Sequence, residues 1–121
     1  MKINFSVPNA TVNIRIGRKT STLRRYTGDK WIIHDVAMRH KEDLELYWIG
    51  TENPYLIAEI PQGRWRSEII RLRDLDEDDL GGLHTLEGFN SSAQMHDYLK
   101  KLYGYRYKSL KMIQTTWEAP A

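Results

Sequence analysis

The chain has 121 residues, 40% hydrophobic and 28% charged, with a formal net charge of +2 and no cysteine. That length fits one domain, residues 1–121, and the balance is that of an ordinary globular protein, which excludes a disordered or fibrous chain. Without cysteine neither a disulfide framework nor a thiolate metal site exists, and so small a net charge excludes strong, sequence-blind binding to long nucleic acid.

The start, Met1-Lys2-Ile3-Asn4-Phe5, lacks the apolar run of a signal peptide, and no window approaches the roughly 18 apolar residues of a membrane span. A cytoplasmic protein without membrane association is expected. Ile3, Phe5 and Val7 alternate as a half-buried strand, ended by Pro8-Asn9. Pro8-Asn9 also suits the start of a short helix, but the alternation of Val12, Ile14 and Ile16 favours a second strand. Gly17 breaks that pattern and Thr20 to Arg24 reads as a short strand. Gly28-Asp29 reads as a turn into another strand built on Trp31-Ile32-Ile33.

Ala37 to Asp43 is polar and reads as a loop, after which Leu44, Leu46 and Trp48 alternate. Gly50 to Pro54 turns the chain into a strand over Tyr55 to Ile60, and Pro61-Gln62-Gly63 turns it again into a strand over Arg64 to Leu72. The acidic run Asp74 to Asp79 is the expected start of a solvated helix. The clearest helix is Ser92 to Tyr103: Ser91 and Gln94 form a capping box, Met95, Tyr98, Leu99 and Leu102 share one face, and Gly104 ends it. Leu110 to Trp117 returns as the last strand. The expected fold is α+β, mostly β, with the strands closing a small barrel.

The run Gly17-Arg18-Lys19-Thr20-Ser21-Thr22-Leu23-Arg24 resembles the Gly-x-Lys-x-x-Thr-x-Arg signature of ASCH domains, and Gly28-Asp29 resembles the turn that follows it. Ile70 to Leu75, Glu87-Gly88-Phe89, the capped helix and Tyr103-Gly104 are similar to the second half of that family, so the resemblance spans residues 3–117. It implies a PUA-like β-barrel with flanking helices, including a helix just ahead of the glycine, and a pocket that recognises a pyrimidine nucleoside or a flipped-out base of single-stranded RNA. In small members that hydrolyse acetylcytidine a Lys, a Thr and a Glu do the work. Their positional matches in this chain are Lys19, Thr22 and Glu87.

The chemistry is coherent, because a Thr hydroxyl becomes a nucleophile when a base removes its proton, and a Lys amine does so once burial or a neighbouring cation makes it neutral. Lys19 would be that base, and Glu87 would protonate the leaving amine or hold the base. Arg18, Arg24 and Tyr47 are the candidate substrate- or RNA-binding groups, through charge and stacking. Each has a plainer reading: Lys19, Thr22 and Arg24 as a solvated strand edge, Glu87 as a carboxylate favoured ahead of a helix, and most rings as packing. His34, His40, His84 and His96 lack metal-ligand spacing, so neither metal nor cofactor is expected. Three functions stay open: an amidohydrolase, a noncatalytic RNA-binding module, and a protein-interaction adaptor on the same barrel.

Overall fold

The computed structural model describes residues 1–120. β1 (Lys2–Phe5) buries Ile3 and Phe5 and leaves Lys2 and Asn4 exposed, the alternation of a strand packed on one face. The next strand along the chain, β2 (Ser21–Arg25), is not its neighbour. β1 pairs in parallel with β3 (Leu44–Trp48), which pairs antiparallel with β4 (Tyr55–Ile60). β2 belongs to a second sheet, of order β2, β6 (Met112–Trp117), β5 (Trp65–Ile70), antiparallel throughout. Backbone pairing thus gives two three-stranded sheets, and does not join the six strands into one closed ring.

The second sheet is the middle layer, and its two faces feed two cores. Trp65 and Trp117 pack with Ile3, Phe5, Ile14 and Leu46 towards the first sheet. Leu23 and Met112 pack on the other side with Leu83, Met95 and Leu99 from α3 (Glu77–Leu86) and α4 (Ser92–Tyr103). β6, central in its sheet, is buried at five of its six residues, which is why it reads as a nearly continuous apolar and hydroxyl run. Each fully buried Leu, Ile or Met in these cores contributes about 1.5–3 kcal/mol by leaving water.

Three segments differ from the sequence expectation. Val12, Ile14 and Ile16 belong to or flank helix α1 (Ala10–Arg15), entered through Asn9 in the left-handed conformation with φ 67°. Ala10 and Ile14, four residues apart, bury one helical face, while Val12 and Ile16 are 58% and 67% exposed, so the period-two alternation was a coincidence of two opposite helix faces. Trp31-Ile32-Ile33 lies in helix α2 (Gly28–Arg39), whose cap is the Thr27 hydroxyl accepting from the Lys30 amide at 3.1 Å. Gly28-Asp29 is its first turn, and Ala37 to Arg39 its last rather than a loop. His34 and Ala37 form its buried stripe, with Met38 packed beside them, and the β-branched pair faces outward. With these changes the α-helices hold more residues than the strands, so the α+β class stands without being mostly β.

The remaining elements follow their local signals. Asp76 caps α3 by accepting from the Asp79 amide, and Ser91 caps α4 by accepting from the Gln94 amide. No helix is long and apolar enough to cross a membrane among the described residues.

Candidate functional site

The site begins where α1 ends. The Asn13 carbonyl accepts from the amides of both Arg18 and Lys19, and Gly17 makes the bend ahead of them with φ +76°. A side chain at Gly17 would meet the Cβ of Ala119 at 2.9 Å, so the turn needs glycine for space as well as for conformation. Lys19 then forms an isolated antiparallel bridge with Glu87, and the Thr20 amide donates to the Leu86 carbonyl at 2.8 Å. Backbone pairing therefore brings together residues far apart along the chain. Gly88, with φ +82°, completes the approach, since a Cβ there would lie 3.1 Å from the Lys19 Cβ.

The Lys19 ammonium donates to the Glu87 backbone carbonyl at 2.9 Å and lies 5.8 Å from the centre of the Phe5 ring. Arg24 lies over the same ring at 5.1 Å, donates from Nε to the Thr22 hydroxyl at 3.2 Å, and from Nη2 to the Asn4 carbonyl at 2.7 Å. That last bond links β1 and β2, edge strands of the two separate sheets. Glu87, shortly before α4 in the chain, is the C-cap of α3, and the α3 dipole there disfavours its charge. Its Oε2 is buried with no hydrogen-bond partner among the described residues.

Burial sets the electrostatics. It lowers the Lys19 pKa, with the Arg24 charge acting in the same direction and Glu87 against it. It raises the Glu87 pKa, opposed by Lys19, the Ser21 hydroxyl, Arg24 and the Leu23 backbone. Both shifts run in the direction of the uncharged forms.

A cavity of about 710 Å³ opens over these groups, within the range of small-molecule sites. Arg18, Lys19, Thr22, Arg24 and Glu87 all line it. Lys19, Thr22 and Glu87 are buried, Arg24 is half-buried, and Arg18 is exposed with its guanidinium bonded to the Asn90 side chain. Tyr47 is not in the lining: it lies on β3, with the Lys2 ammonium 5.0 Å from its ring. The sequence reading missed Asn4 and Asn90 as wall residues and did not name Tyr103 among the binding groups. Tyr103 had a signal, its place at the end of an amphipathic helix among cations, and its hydroxyl donates to the Leu23 carbonyl at 3.2 Å. Asn4 and Asn90 had none, because they act through a strand edge and a helix entry that only the fold defines.

After α4, Tyr105 is 85% exposed, while Tyr107 is buried and bonded to His96 at 2.7 Å. No protein-family model, curated protein or solved structure matches this chain.

Proposed function

We propose that the chain is an ASCH-type, PUA-like domain of the cytoplasm whose two sheets are the halves of an open barrel, and that the cavity beside β1 and β2 binds an acylated pyrimidine nucleoside and removes its acetyl group. One observation carries the reading: Lys19, Thr22 and Glu87, read from a sequence resemblance, line a single cavity. The helix ahead of Gly17, which the resemblance implied and the alternation argued against, supports it as well.

The uncharged forms that burial favours suit an acyl transfer. Neutral Lys19 takes the proton of the Thr22 hydroxyl as Oγ1 attacks the acetyl carbonyl, and the bond to the exocyclic nitrogen breaks as Glu87 delivers its proton to the leaving amine. Glu87, now a carboxylate, takes a proton from water as the water attacks the acetyl-Thr22 ester. Lys19 returns its proton to Thr22, acetic acid leaves and loses its proton to solvent, and both groups regain their starting forms. Arg24, bonded to the Thr22 oxygen, orients that hydroxyl in the resting site.

A second reading, a noncatalytic RNA-binding pocket, is favoured by a specific feature: Lys19 is bonded to a backbone carbonyl, and no Lys19–Thr22 hydrogen bond occurs. Incubation with acetylcytidine separates the two. The amidohydrolase releases cytidine and acetate. Absence of cytidine, with binding of single-stranded RNA intact, leaves the binding module.

A further inference from the structure

The cavity is lined by five basic side chains, Arg18, Lys19, Arg24, Arg25 and Lys30, and by one acidic one, Glu87; Lys19 and Glu87 cancel whether both or neither is ionised, which leaves a surplus of four positive charges. That surplus exceeds the formal net charge of the entire chain, +2, so the positive charge is concentrated in the cavity while the rest of the molecule is net negative. None of the five makes an ion pair among the described residues; the four ion pairs all lie elsewhere. Like charges gathered without counter-charge repel one another, and an anion entering the cavity relieves that cost.

The five are not equivalent. Lys19 and Arg24 are held inside by Glu87, Thr22 and Asn4, and Arg18 by Asn90. Arg25 and Lys30 are exposed, and their side chains have no hydrogen-bond partner among the described residues. Arg25 ends β2, Lys30 stands in the first turn of α2, the next element along the chain, and both line the cavity. A cation in that first turn also faces the positive end of the α2 dipole, which Asp29 in the same turn offsets only in part. An uncharged nucleoside uses none of this.

We propose that the cavity carries a phosphate subsite, built by Arg25 and Lys30 beside the inner chamber of Lys19, Thr22 and Glu87, and that its ligand is a phosphorylated pyrimidine nucleoside instead of the free one. This rests on the base-binding reading of the inner chamber. The phosphate belongs either to a mononucleotide or to a strand, and the same two side chains serve both.

The test is calorimetric titration of the full chain at low salt with cytidine, cytidine 5′-monophosphate, a short oligocytidylate and inorganic phosphate, product forms that avoid turnover. The expected result is cytidine monophosphate binding about tenfold or more tighter than cytidine, the yield of one or two charge-assisted contacts. That advantage shrinks as salt rises and disappears in the Arg25→Gln/Lys30→Gln variant, while cytidine affinity is unchanged. Both positions are exposed, and a melting curve verifies the fold. An oligomer binding tighter than the monophosphate, with the same loss in the variant, assigns the phosphate to a strand. Equal affinity for cytidine and its monophosphate, or an advantage that survives in the variant, overturns the subsite and leaves the base-binding reading standing. Inorganic phosphate binding as tightly as cytidine monophosphate, with no cytidine binding, overturns the nucleotide ligand and the base-binding reading together.

Discussion

Two buried polar clusters sit on the middle sheet, and they differ in how completely their groups are satisfied. Thr22, Thr115 and Ser67 are directly opposed across β2, β6 and β5, so their hydroxyls form one row on one face. At the β5 end the row is closed: Ser67 Oγ lies 2.8 Å from Thr115 Oγ1 and 2.7 Å from His34 Nδ1. Burial, with the Arg24 charge adding to it, lowers the His34 pKa and keeps the ring neutral as a partner for a hydroxyl. At the β2 end the row opens onto the cavity, where the Glu87 Oε2 is left without a partner. A closed network of this kind stabilises one packing, whereas a buried group left unpaired beside a cavity is stabilised when a ligand supplies the missing contact.

Lys19 separates the two clusters most sharply. Lys19→Ala is expected to reduce acetylcytidine turnover by about 10²–10⁴-fold, the range for a general base, while the variant still unfolds cooperatively. Kinetics paired with a urea melt measure both. A large stability loss with turnover intact would place Lys19 with the structural cluster. The converse change is Ser67→Ala, which strands the His34 ring nitrogen and the Thr115 hydroxyl. It should cost about 1–3 kcal/mol of stability, the penalty of unpaired buried groups, with ligand affinity at the cavity near wild type.

The smallest effect is a pH dependence. Glu87 binds its proton more tightly in the folded state than at its ordinary value of 4.5, so its contribution to stability is complete below 4.5 and is lost as pH rises through the raised folded value. Lys19 acts in the opposite sense at the alkaline end: its folded pKa is lowered from 10.5, the unfolded chain holds the proton longer, and stability rises with pH as 10.5 is approached. Glu87→Gln should remove the falling limb above pH 4.5 in denaturant melts across pH. An unchanged limb would show that Glu87 is not its source.

Much of the fold was legible where a local signal is also a physical device. Ser91 and Gln94 marked the start of α4 because the hydroxyl really does accept from that amide, and the alternation of Leu44 and Leu46 marked β3 because both are buried. Val12 and Ile16 misled because residues spaced by two and four fit a strand face and, by accident, opposite sides of a helix. Ile32 and Ile33 misled because β-branched residues favour strands when nothing else intervenes, whereas the Thr27 cap and the burial of His34 and Ala37 decide for helix. In the site, Lys19, Thr22, Arg24 and Glu87 could be named from the ASCH-like spacing, and Tyr47 could not be told from any other ring on a strand.

The order of amino acids by itself determined the α+β class, the capped helices α3 and α4, and most of the strands, since propensity, capping and periodicity act over a few residues. Tertiary structure alone decided that β1 and β2 stay apart, that the backbone of Lys19 pairs with that of Glu87, and that Tyr47 lies outside the cavity. Burial and strand partners depend on residues distant along the chain, and the altered pKa values of Lys19 and Glu87 exist only once those residues have excluded water from around them.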